Sequence, residues 1–119
     1  MKEFTKDIEK ATIKNINYRK VLFTTKNQQL VVMSLKPSET IPMESHNGTQ
    51  FFRVEAGTGV ARINKKTIRL KDGISLVVPP NTRHEIVNTS RTKALKFYTI
   101  YSPPQHKAKL VQKNKPNDE

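Results

Sequence analysis

The chain has 119 residues, no cysteine, and 22 Lys and Arg against 10 Asp and Glu, a formal charge of +12. This length holds one domain around one core, and the missing cysteines exclude disulfides, thiolate metal sites and a cysteine nucleophile. No apolar run could span a bilayer and the opening MKEFTKDIEK is too charged for a signal peptide, so a soluble, intracellular protein is expected.

From the N-terminus onward, β-branched and aromatic residues come in short runs broken by turn residues, which predicts an all-β sandwich or barrel. Expected strands run over 13–14, 19–24, 29–36, 38–41, 49–56, 59–63, 66–70, 75–78, 84–88 and 94–101. Ala56-Gly57-Thr58-Gly59 and Asn64-Lys65 read as hairpin turns, and Val78-Pro79-Pro80-Asn81 as a proline-fixed corner. Period two then assigns faces. Gln50, Phe52 and Val54 share one side, with Phe51 and Arg53 opposite; His84, Ile86 and Asn88 share another, with Arg83, Glu85 and Val87 opposite. An outward Phe51 calls for a second buried surface, which predicts a homodimer through the outer face of a sheet. The domain is expected to occupy 1–104. From Ser102-Pro103-Pro104 onward the composition turns to Lys, Asn, Gln and Pro, predicting a basic tail over 105–119 that is mobile unless a partner chain orders it, with His106 facing solvent unless the tail folds back to the barrel mouth.

Two stretches carry metal-capable side chains. The first is Glu44-x-His46-x-x-x-Gln50; the second opens at Gly73, passes Pro79 and Asn81, and reaches His84 and Asn88. Glu44 and His46 stand two apart, so on an extended segment both leave the same face, and Gln50 returns to that face in the next strand. Two imidazoles, a carboxylate and an amide oxygen suit a divalent first-row metal: iron, manganese, nickel or zinc. The neutral amide of Gln50 is the weakest donor of the four and could instead hydrogen-bond a metal-bound water.

These stretches resemble the paired motifs of the cupin superfamily. In the second motif, Gly73, Pro79, His84 and Asn88 fall in place, with Asn81 standing for a glycine. In the first, Glu44 and His46 occupy the two histidine places, Gln50 the glutamate place, Gly57 closes the motif, and Ser38 sits where an opening glycine falls. SLKPSETIP, QFFRVEAGTG and LKFYTIYSPP look like the small single-domain cupins that resemble the mannose-6-phosphate isomerase cupin domain. The resemblance covers roughly residues 8–106. It implies an all-β double-stranded β-helix or jelly-roll barrel, commonly dimeric, with a metal held by Glu44, His46, Gln50 and His84.

Further candidates are less specific. Tyr98 and Tyr101 lie on opposite faces of one strand, so at most one can look into the barrel and donate a hydrogen bond or proton. Arg53 and Arg83 should point outward, and Glu55 and Glu85 are read as surface residues. The charge draws anions, which fits sugar phosphates, acidic proteins and nucleic acid; the lysines form no continuous stripe and no groove-reading helix is predicted, so nucleic acid is the less favoured partner. No nucleophile elbow, P-loop or dinucleotide fingerprint is present. The reading is a metal-binding small-molecule enzyme for a polyhydroxylated or anionic substrate such as a sugar phosphate, isomerase-like or oxygen-dependent. A non-catalytic ligand-binding barrel, and a basic structural or nucleic-acid-associated protein packed in a virus-like particle, stand as alternatives.

Overall fold

The computed structural model describes residues 1–119 and contains one short helix followed by ten strands. Helix α1 (Ile8–Lys14) precedes β1 (Arg19–Thr24), β2 (Gln29–Leu35), β3 (Thr40–Glu44), β4 (Thr49–Ala56) and β5 (Gly59–Ile63). Then come β6 (Lys66–Leu70), β7 (Ser75–Val78), β8 (His84–Asn88), β9 (Leu95–Ser102) and β10 (Val111–Gln112). One sheet has the order β10-β1-β2-β9-β4-β7 and the other β3-β8-β5-β6, with every pairing antiparallel. This is the expected jelly roll.

The core lies between the sheets and follows from alternation. On β9, Leu95, Phe97, Thr99 and Tyr101 are buried while the residues between them are not, and on β4 the same holds for Gln50, Phe52 and Val54. Their registers match in rows: Gln50 opposite Tyr101, Phe52 opposite Thr99, Val54 opposite Phe97. Strand β2 is buried on both faces, because α1 packs on the outside of β2, β4 and β9.

Three expectations change. Residues 13–14 are not a strand but the end of α1, which is capped by Asp7, whose carboxylate accepts from the Lys10 backbone N–H at 3.1 Å. Two turns of helix are too short to show a hydrophobic period, so the N-cap was its one signal. The strand placed at 38–41 begins instead at Thr40, because Ser38 adopts a left-handed φ of 65° and breaks the extended chain. Ser38 is the residue in the place of the motif's opening glycine, and Asn81, which replaces a second glycine, has φ 59°. Both keep the left-handed turn that glycine would supply more cheaply.

The third concerns residues 105–119, for which composition predicts mobility. In the structure they fold back along β1. Gln29 binds the backbone of Gln105 and His106, β10 pairs with β1, and Glu119 contacts Tyr18 and Arg19. Its composition is mostly polar and basic, yet Leu110 packs against the core and the rest of the segment is held through hydrogen bonds and charge.

Candidate functional site

Glu44 and His84 meet because β3 is bulged. Ile41 pairs with Ile86 and Glu44 with His84, so three residues on β3 span two on β8. Strict alternation from buried Ile41 would turn Met43 inward; the extra residue leaves Met43 exposed and re-aims Glu44 toward His84. His46 follows in the β3–β4 loop, where its carbonyl accepts from the Asn81 N–H at 2.7 Å. The proline corner thus fixes the loop that carries His46.

The three residues converge. One ligand atom from each of Glu44, His46 and His84 lies within 4.8 Å of the others. Glu44 Oε2 is 3.4 Å from His46 Nε2 and 3.9 Å from His84 Nε2. Two donors on one tetrahedral zinc, with bonds of about 2.0–2.2 Å, stand about 3.4 Å apart. Small side-chain movements would therefore close the group on an ion.

Protonation agrees with that use. The Thr82 carbonyl lies 2.9 Å from His84 Nδ1, so Nδ1 carries the proton and Nε2 presents its lone pair to the interior. Burial pushes the His84 imidazole below the ordinary histidine range, which keeps it neutral as a ligand must be. Both Nε2 atoms, of His46 and His84, are buried without a hydrogen-bond partner. Unpaired buried polar atoms are rare and costly. A metal ion would satisfy both at once.

Gln50 enters from β4. Its amide nitrogen donates to Thr99 Oγ1 at 2.9 Å, leaving Oε1 buried and unpaired. Tyr101 lies beside it on β9 with its ring centroid 5.4 Å from that of His46. Burial drives its phenol pKa upward, so the group stays protonated and keeps an O–H to donate. Tyr98 faces the other way, 6.1 Å from Phe51 on the outer surface, which removes it from the candidate site. The reason is the odd separation of the two tyrosines along one strand.

Residues outside the two motifs also reach this space. His106, expected in solvent, folds in with its Nε2 3.3 Å from the Tyr101 hydroxyl. Its pKa is lowered to about 4, first by burial and then by the charge of Arg19. Arg19 is 2% exposed and shares the inward row of Met33 and Phe97. A basic residue in the first position of a strand gave no sign of burial in its chemistry, although an alternation count from Val21 would have turned it inward. Asn88, by contrast, serves the fold: its amide donates to the carbonyls of Leu35, Lys36 and Lys93 and accepts from Ser90, tying β2 to the β8–β9 loop. Glu55, read as a surface residue, is buried beneath an ion pair with Arg53. Surface clefts of about 430 Å³ beside α1 and about 580 Å³ beside β5 and β6 contain none of the triad.

Comparison with known proteins agrees with the architecture. Residues 31–101 match the family model described as the cupin domain. The chain is 46% identical over 104 residues to an uncharacterized protein of Acanthamoeba polyphaga mimivirus, an alignment covering 84% of this chain and 65% of that protein. It is 38% identical over 121 residues to the uncharacterized protein YrkC of Bacillus subtilis, covering 96% of this chain and 64% of that one. The chain thus spans a little under two thirds of the length of these relatives. The crystal structure of a Bacillus halodurans protein superposes with a TM-score of 0.91 at 32% identity, covering 94% of this chain and 89% of that one.

Proposed function

The chain belongs to the cupin family, and from that premise we propose that its barrel holds a divalent first-row metal on Glu44, His46 and His84 and works as a small-molecule enzyme. The observation that carries this reading is the pair of buried, unpaired imidazole Nε2 atoms facing one carboxylate within 4.8 Å. Gln50 is a fourth, weaker ligand or a hydrogen-bond partner of a metal-bound water. One carboxylate and two neutral imidazoles around a dication leave a local charge near +1, so the open positions suit oxygen donors of an anionic or polyhydroxylated substrate such as a sugar phosphate. When bound, the metal supplies Lewis acidity for an isomerase-like reaction or, if it is iron, a centre for oxygen-dependent chemistry.

The protein's own groups have narrower roles. Thr82 sets the tautomer of His84, and Tyr101 offers a protonated phenol to substrate oxygen. His106, neutral above about pH 4, stands with its Nε2 3.3 Å from that phenol oxygen. Phe51 and Tyr98 are half-buried on the outer face that α1 partly covers, and pairing of two copies on the rest of that face is part of this reading.

Elemental analysis of full-length protein purified without chelator or histidine tag tests the reading. Near-stoichiometric metal that is lost in His84→Ala supports it. A wild-type chain that takes up neither zinc, manganese, nickel nor ferrous iron on reconstitution refutes it and promotes the non-catalytic barrel.

A further inference from the structure

Residues 105–119 bridge the open edges of the two sheets. Gln29, itself buried, accepts from the N–H groups of Gln105 and His106 at 3.1 and 3.0 Å and donates to the His106 carbonyl at 2.9 Å. Strand β10 then pairs with β1, and Lys115 Nζ donates to the Thr40 carbonyl of β3. The segment brings the Glu119 carboxylate to Arg19. Arg19 Nη1 and Nη2 donate to its two oxygens at 2.8 and 3.2 Å, and the Tyr18 hydroxyl donates to Oε1 at 2.8 Å.

A buried guanidinium needs a partner, and a planar carboxylate taken by its fork is the best available. Glu119 therefore has an adequate structural role as a pin. Yet the pin is incomplete, because Arg19 Nε–H is buried and unpaired. The four buried side-chain polar atoms without partners are this one, His46 Nε2, His84 Nε2 and Gln50 Oε1. All belong to residues of the triad or of the inward rows of the barrel. Tyr18 and Tyr101 belong to one buried core cluster, and the Tyr101 ring centroid lies 5.4 Å from that of His46 and 5.2 Å from that of His106, so the clasp and the triad share the barrel interior. Two of the orphan atoms suit a metal. The remaining donor suits an anion.

We propose that Arg19 and Tyr18 form a carboxylate-binding subsite of the barrel, filled at rest by Glu119 of the same chain, and that a carboxylate-bearing ligand takes this place by displacing the tail. This rests on the reading of the triad as a metal centre, because the subsite orients a ligand whose other oxygens face that centre. A carboxylate fits better than a phosphate: two guanidinium N–H groups and one phenol embrace a flat two-oxygen acceptor, and Nε–H is left for a ligand seated deeper than a tethered side chain can reach. The tethered carboxylate acts as an internal competitor at an effective concentration in the millimolar range. The charge of +12 favours the incoming anion.

The test uses three probes on the full chain: gluconate, glucose 6-phosphate and sorbitol, which share a six-carbon polyol frame and differ in the anionic group. Binding is measured by calorimetry on chelator-treated and metal-reconstituted protein, with the arginine Nε–H resonances followed by ¹⁵N NMR. Glu119→Gln removes the competing charge while keeping size and should tighten gluconate binding about tenfold or more, with the Arg19 Nε–H signal shifting on addition. Arg19→Lys should abolish that gain, and sorbitol should show none. Should Glu119→Gln fail to fold, Glu119→Asp, which withdraws the carboxylate by one methylene, should give a smaller gain of the same sign. A lowered melting temperature with gluconate affinity and the Nε–H signal unchanged overturns the proposal, as does an equal gain for glucose 6-phosphate. The gain in chelator-treated protein that binds no metal would keep the subsite and reject the metal centre; metal uptake without the gain would do the reverse.

Discussion

The two ends of the barrel interior are built on the same strands and differ in what they leave unsatisfied. At one end of β4 and β9, Val54, Phe97 and Leu95 are buried with Met33 and Leu35 in an apolar cluster. At the other, Gln50 and Tyr101 face His46 and His84, and buried nitrogen and oxygen atoms lack partners. The first end gains free energy from burial, about 1.5–3 kcal/mol for each large side chain. The second costs free energy, because each unpaired buried polar group loses about 1–3 kcal/mol of hydration. A fold keeps such an end only where something else, such as a ligand, compensates. The contrast therefore marks the polar end as the candidate site without reference to any reaction.

The largest effect should come from the apolar end. Phe97→Ala should destabilise the protein by about 3–5 kcal/mol, read from urea unfolding, while metal bound per folded molecule stays unchanged. A parallel loss of metal would mean that the two ends are not separable. At the polar end the order should reverse. His84→Ala should abolish stoichiometric metal yet cost the chelator-treated protein only about 1–2 kcal/mol, since the imidazole it removes leaves Nε2 unsatisfied. A stability loss as large as that of Phe97→Ala would make His84 a core residue first.

Gln50→Ala should weaken metal affinity by about tenfold or less, because an amide is a feeble donor that water can replace. Equal metal loss in Gln50→Ala and His84→Ala, both folded, would contradict this ranking. The smallest expected effect is a pH slope. The unfolded His106 ring takes up a proton near 6.5 and the folded one only at about 4, so the native state should lose stability as pH falls between those values. His106→Gln should make the decline in unfolding free energy from pH 7.5 to 5, read from urea curves, shallower by about 1–2 kcal/mol, less than the full shift implies because the ring is partly exposed to solvent. The Glu119 pair does not interfere: burial raises its carboxyl pKa, but hydrogen bonds from Arg19 and Tyr18 outweigh this and depress it, so its contribution is present above the ordinary glutamate value of about 4.3 and is lost only as pH falls below it. An unchanged slope in His106→Gln would place the titration elsewhere on the polar end.

Alternation along the chain was enough to place most of the barrel. Strands at 19–24, 49–56, 59–63, 66–70, 75–78 and 84–88 agree with the structure residue for residue, and the inward sets Gln50, Phe52, Val54 and His84, Ile86, Asn88 are all buried. Periodicity is a local property, and burying one face of a strand enforces it. The approach of Glu44, His46 and His84 could be expected from two motifs, but the bulge between Ile41 and Glu44 that makes it possible depends on how β3 pairs with β8. Pairing of β9 with β2 and β4 also decided that Tyr101 and not Tyr98 looks inward. Alternation from Val21 turns Arg19 inward, but no local reading supplies its partner or brings in His106 and Glu119. Their burial arises only when the tail returns to β1 and a guanidinium, a phenol and a carboxylate from distant positions satisfy one another, which is a balance of charge and desolvation set by tertiary structure alone.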